Sequence, residues 1–145
     1  MSQLATLPDN TLVDELELAM LRHDGPVQTA KDFPVEHYFA PGLYARSLFR
    51  KAGTFIVGHA HKHAHLSIVL HGRLRVLSDG KVKEIVGPSK PFLSPAGIRK
   101  ATYAMEDTTL ITFHPTEETN PEKMEEALVD FSPAFQEDAE THLLQ

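Results

Sequence analysis

Gly58-His59-Ala60-His61-Lys62-His63-Ala64-His65-Leu66 places four histidines at alternate positions. Neutral imidazole is the commonest side-chain ligand for transition metals, and the chain holds nine histidines in 145 residues. Alternate side chains of an extended strand share a face. Up to four ring nitrogens could therefore converge on one point. The reading of this stretch decides whether the surrounding chain is a sheet protein built around a metal or something else.

Outward from the histidines the chain reads as β structure over about 43–115. LYARSLF (43–49), TFIVGHAH (54–61), HLSIVL (65–70), GRLRVLS (72–78), KVKEIVG (81–87), RKATYAM (99–105) and TLITFHP (109–115) are short. They are rich in β-branched and aromatic residues. Turn signals separate them, and Asp79-Gly80 between two alternating runs is the sharpest hairpin signal. Many short strands without intervening helices predict a sandwich or barrel.

Helices are predicted only at the flanks. Thr11 followed by Asp14 resembles a capping box, with Leu12, Leu16, Ala19 and Met20 on one face of a helix at about 11–22. A strand is the alternative there, and Gly25-Pro26 would stop the helix. Asn120-Pro121 is a second start, with Glu122 at the positive end of the dipole. Met124, Ala127, Leu128 and Phe131 form its stripe, Ser132-Pro133 breaks it, and an acidic tail closes the chain. The expected organisation is an extension over 1–42, a β-barrel over 43–115 and a helix with tail over 116–145.

Composition narrows the function. The net charge of −6 and the absence of any Lys/Arg run argue against a nucleic-acid surface. With no Cys, thiolate metal sites, disulfides and cysteine nucleophiles are excluded. MSQLATLPDN lacks a basic start and an apolar run, so no signal peptide is expected, and no stretch suggests a membrane span.

Two motifs give the β region a family likeness. Gly58-His59-x-His61, three residues, His65, six residues, Gly72 has the spacing of the first cupin motif. Pro95-x-Gly97-x-x-Lys100 has the spacing of the second. The chain thus resembles a small single-domain cupin, which implies an all-β jelly-roll barrel with short N- and C-terminal helical extensions. Cupins usually carry Glu at the position of His65 and His at that of Lys100. The resemblance therefore implies His59, His61 and His65 as metal ligands, with Lys100 in the place of the fourth. It also puts His63 in a turn facing solvent, where His63 and Lys100 are the residues left to contact a ligand or anion. A three-His face suits one divalent transition metal such as Zn, Fe, Ni or Mn. An ammonium about 4–5 Å away opposes this by roughly 3–4 kcal/mol per unit charge product at an effective dielectric near 20. Lys100 is then deprotonated, or points away, or the site binds no cation, or it takes an anion instead.

The remaining polar and apolar residues of the β region are expected to have plainer roles. His71 is a surface residue, and His114 caps or packs the last strand. Arg99 and Lys100 could be an edge-strand charge pair. Arg46 and Arg50 are most simply solvated, and Tyr103, Phe55 and Ile68 fill the core. Ser67 lacks a nucleophile's context.

A narrower likeness covers most of 44–128. YARSLFRKAGTFIVGHAHKHAHLSIVLHGRL and KATYAMEDTTLITFHPTEETNPEKMEEAL look like small cupins encoded by tailed bacteriophages. Those proteins keep histidines at His61 and His65, a basic residue near Lys100, and the Thr116-Glu117-Glu118-Thr119 segment entering the last helix. This implies a non-catalytic binding or structural module of a phage particle or its assembly. It would be homo-oligomeric, contact other phage structural proteins, and reside in host cytoplasm or virion. The alternative is a metal-dependent cupin enzyme, of dioxygenase or isomerase type, using the three-His site.

Overall fold

The structure is a computed structural model and describes residues 9–21 and 32–130. Two antiparallel sheets form a jelly-roll core, flanked by two short helices. One sheet has five strands in the order β1 (Val35–Ala40), β2 (Leu43–Arg50), β10 (Thr108–Pro115), β5 (His65–His71), β8 (Phe92–Ser94). The other has β3 (Phe55–Val57), β9 (Lys100–Ala104), β6 (Arg73–Ser78) and β7 (Lys81–Val86). A small ladder joins β4 (Ala60–His61) to β11 (Val129–Asp130).

Local chemistry sets these turns. Asp79 and Gly80 both have positive φ, 53° and 72°, and form a two-residue loop between Ser78 and Lys81. This is the backbone a twisted hairpin prefers. Gly72 has φ 100°, and a Cβ there would lie 2.5 Å from Asp107 O and Thr108 Oγ1. Gly72→Ala is expected to lower the unfolding free energy by about 3 kcal/mol, as strain and clash add. A loss of less than about 1 kcal/mol, read from the shift in denaturant midpoint at constant m, would show that this loop yields instead.

A β-bulge sets which residues share the interior. Thr109 lies opposite His71, but Leu110 lies opposite Val69, so one extra residue is absorbed in β5. A one-residue offset exchanges the two faces of a strand. With it, Leu110 faces inward beside Val69, and Thr112 beside Ser67. The inner face is thereby layered. Val69, Leu74, Val76 and Ala104 form an apolar cluster, joined by Ile85, Phe92 and Leu110. Toward the other end the rows turn polar, with Arg46, Thr112 and Ser67 in register.

The helices close the barrel. Helix α2 (Pro121–Leu128) starts where predicted, with Asn120 Oδ1 accepting the Glu122 N–H at 3.0 Å. Its Met124 and Leu128 pack with Val129 on Tyr44. Helix α1 (Thr11–Leu21) also forms, so the strand alternative for this segment is set aside. Its cap and inner face differ from the expectation. The Asp14 N–H donates to Asn10 O at 2.8 Å and not to the Thr11 side chain, and Asp9 Oδ1 accepts the Thr11 N–H at 3.1 Å. Among its described side chains, which do not include that of Met20, the buried positions are Val13 and Glu17, and Leu12 is 48% exposed. The cause is Arg99, which draws the acidic edge of the helix inward. Its Nη1 donates to Asp14 Oδ1 at 2.6 Å and its Nη2 to Glu17 Oε2 at 2.5 Å. Arg99 is therefore a buried clasp and not a solvated edge charge. Arg50 is likewise buried, while Tyr103, expected in the core, is 39% exposed. Gly25-Pro26, Phe131, Ser132-Pro133 and the acidic tail lie outside the described residues. No helix among the described residues is long and apolar enough to cross a membrane.

Candidate metal centre

The four alternating histidines do not share a face, because the strand through them is broken twice. Gly58 and His59 lie between β3 and β4, and Lys62 to Ala64 form a bend before β5. The first break is held from both sides. Gly58 N–H donates to Lys100 O at 2.9 Å, and Gly58 O accepts from Arg99 Nε and Nη2 at 3.0 and 2.8 Å. The bend is held by Lys62 N–H donating to Leu128 O at 2.7 Å.

Two of the four, His61 and His65, come together with His114 of β10. One nitrogen from each lies within 4.8 Å of the others. The ring centroids are 4.5 Å apart for His61 and His65, 4.5 Å for His65 and His114, and 5.1 Å for His61 and His114. His59 is half-buried, close enough for its charge to lower the His61 pKa, but outside this group. His63 sits in the bend with an exposed side chain, and its backbone hydrogen-bonds the His65 ring. The residue that sequence reasoning passed over is His114, which is 1% exposed. Its signal was parity: His114 follows Thr108, Leu110 and Thr112 on one face of an eight-residue strand.

All three rings are neutral at pH 7. Burial pushes His61 down to about 3, helped by the positive charges of His65, Arg46, Lys100 and His59. Burial pushes His65 down to about 4, with Lys100 and Arg46 adding to it. Burial also takes His114 to about 2, with Arg46, His65 and His61 contributing. Neutral imidazole is the form that binds a metal. His61 Nε2 and His65 Nδ1 are buried and have no hydrogen-bond partner. Leaving such a group unsatisfied costs about 1–3 kcal/mol, so a metal fits these donors.

A chain of side chains steadies the third ring. His114 Nε2 and Thr112 Oγ1 are 2.8 Å apart, and Arg46 Nε donates to the same hydroxyl at 3.2 Å. In the tautomer whose Nε2–H donates to Thr112, Nδ1 of His114 keeps its lone pair for a ligand. Tyr44 stacks on His114 at 5.9 Å, and its hydroxyl lies 2.6 Å from His37 Nδ1. Arg46 is therefore not solvated as expected; burial lowers its pKa, and Tyr44 and Glu125 favour its charged form.

Lys100 stands on the other flank. Its Nζ donates to Ser94 Oγ, a fully buried hydroxyl paired across the sheet with His65. The ammonium lies 5.2 Å from the Phe92 ring centroid, and burial pushes its pKa down to about 8. Among the described residues, the histidine group includes no Asp or Glu.

No protein-family profile and no curated protein sequence matches the chain. Solved structures do match. KdgF from a Halomonas species aligns at TM-score 0.52 and 19% identity, over 66% of this chain and 89% of that one. The Schizosaccharomyces pombe Cnp3 cupin domain aligns at TM-score 0.51 and 18% identity, over 74% and 79%. Salicylate 1,2-dioxygenase from Pseudoaminobacter salicylatoxidans aligns at TM-score 0.55 and 16% identity, over 80% of this chain but only 32% of its own. At these identities the likeness is one of fold. The chain has the cupin fold, with a histidine triad able to hold a metal.

Proposed function

We propose that this is a metal-binding cupin whose His61, His65 and His114 hold one divalent transition metal. The observation that carries the reading is the convergence of three buried, neutral imidazoles, two of them with unsatisfied nitrogens. When bound, such an ion supplies Lewis acidity at coordination positions the protein leaves open. The chain's own contribution is to fix the rings, through Thr112 on His114 and the His63 backbone on His65. Arg46 and Lys100 place two cations beside the triad, which favours an acidic ligand there and supports the enzyme alternative of dioxygenase or isomerase type. The protein purified without a histidine tag is expected to carry close to one equivalent of metal, and His114→Ala less than about a tenth. Metal analysis of both decides it; equal metal in the two proteins would rule out His114 as a ligand.

The finer reading, a homo-oligomeric component of a phage particle or its assembly, follows from the resemblance read in the sequence, and one surface is suited to such contacts. Cross-strand register aligns Leu93, Leu66, Phe113, Ala45 and Tyr38 in a row on the outer face of the five-stranded sheet. Leu93, Leu66 and Tyr38 are 62%, 46% and 51% exposed. Contiguous exposed apolar side chains mark contact surfaces. A monomer by light scattering, together with absence from mature particles by mass spectrometry, would end this reading.

A further inference from the structure

A cavity of about 550 Å³ opens beside the four-stranded sheet. None of the three clustered histidines lines it, and Lys100 is where it meets their surroundings. Its wall is charged in a way that sheet stability does not require. Lys81, Lys83 and Ile85 of β7 lie opposite Ser78, Val76 and Leu74 of β6. Residues directly opposite in an antiparallel pair point to the same side. Leu74 and Val76 are buried core, so Lys81 and Lys83, although exposed to solvent, project from the same face of the sheet as that core. Val82 and Val86, 64% and 52% exposed, stand outside. Strand β7 thus turns lysines toward the open end of the core-side face and valines to the other face, with Ile85 its one partly buried residue.

The same row continues across the sheet. Ser78 lies opposite Lys81 on one side and Lys100 on the other, so two lysines flank it. Lys90 approaches from the segment before β8. Four lysines line the cavity against one acid, Asp79, whose Oδ1 already accepts the Asp9 N–H at 2.7 Å. Four like charges around one concave wall raise each other's energy and focus a positive potential into it. Val76, Ile85, Phe92 and Ile98 supply an apolar surface between them. The volume lies within the roughly 300–1,000 Å³ usual for small-molecule pockets. A polynucleotide is disfavoured by the overall charge of −6.

We propose that this cavity binds a small organic acid with an apolar scaffold and at least two negative charges. Lys81, Lys83 and Lys100 hold the charged groups, and Phe92 packs on the scaffold. The site does not rest on the metal reading, because its wall is complete without the histidines.

Phthalate is a suitable probe, titrated calorimetrically into the full-length, metal-free protein at low salt. A dissociation constant below about 1 mM is expected. The double variant Lys81→Gln/Lys83→Gln is expected to weaken binding at least about tenfold. Arg75→Gln, which removes an exposed cation from the outer face of the same sheet, should leave affinity within about twofold. Inorganic phosphate and the neutral phthalamide should each bind at least about tenfold more weakly than phthalate. No binding at about 10 mM phthalate would overturn the proposal. So would phosphate binding as tightly, or Arg75→Gln losing as much as the double variant. The same titration in the presence of Zn²⁺ separates the two sites. Phthalate binding in a protein that takes no zinc sinks the metal centre alone, and zinc uptake without phthalate binding sinks the cavity alone.

Discussion

Arg99→Ala is expected to cost about 3–5 kcal/mol of stability, a loss of roughly 10–15 °C in melting temperature for a domain of this size. Three connections fail together in that variant. The guanidinium side chain is 3% exposed and that of Glu17 is 8% exposed, so the substitution takes the cation from beside a buried carboxylate. Breaking one side of a buried ion pair is far more damaging than replacing both sides, because a charge remains in a medium that solvates it poorly. The Asp14 contact, 45% exposed at the carboxylate, adds little by comparison. The third connection is the fork on Gly58 O, which holds the break between β3 and β4. The control is the double variant Arg99→Met/Glu17→Leu, which fills the same volume with apolar groups and should recover most of the loss. Chemical denaturation of the three proteins measures both effects. A single variant within about 1 kcal/mol of the parent would mean that α1 is not clasped. Hydrogen exchange should localise the damage to Thr11–Leu21 and to the Gly58 loop.

The same arginine explains where sequence reasoning succeeded and where it stopped. The long strands were legible because their punctuation is local. Asp79-Gly80 specifies its own turn, and LYARSLF or TLITFHP is long enough to show alternation. Strands β1, β8 and β11 were not legible. Phe92–Ser94 spans three residues between Pro91 and Pro95, and Val129–Asp130 spans two, too few for a period of two to appear. These exist because a partner strand supplies the hydrogen bonds. The histidine triad was half legible for a related reason. Alternation predicts which residues share a face only while the strand stays regular, and Gly58-His59 and Lys62–Ala64 interrupt it. What holds those breaks, Arg99 and the Leu128 carbonyl, lies 41 residues and more away in sequence. His114 joins the site because the bulge in β5 aligns the inner faces of β5 and β10, and a bulge leaves little trace in hydrophobic pattern. The α1 stripe failed because a buried Arg reversed the usual rule that the apolar edge of a helix turns inward.

Acid is expected to unfold the metal-free protein well above the pH at which its carboxylates protonate. The sign follows from the three imidazoles. Their native pKa values, about 3 for His61, 4 for His65 and 2 for His114, all lie below the unfolded value of about 6.5. Between those limits the unfolded chain binds protons that the native protein refuses, so stability falls as pH falls. The contribution is fully present above about pH 6.5, and each imidazole gives up at most about 1.4 kcal/mol per pH unit below it. By pH 5 the three together remove up to about 5 kcal/mol, comparable to the whole stability of many domains. His114→Phe, close in volume and unable to bind a proton, should reduce the pH slope between 6.5 and 5 by about a third. The metal affinity of the native site behaves differently. With no protons to displace, Zn²⁺ binding to folded protein should vary less than about threefold between pH 7 and 5.5. Three ordinary histidines would lose far more over that range, because each must first surrender a proton. Competition titrations at the two pH values, restricted to conditions where circular dichroism shows folded protein, make the comparison. A drop of about a hundredfold would mean that the rings titrate like exposed histidines, and that burial does not hold them neutral.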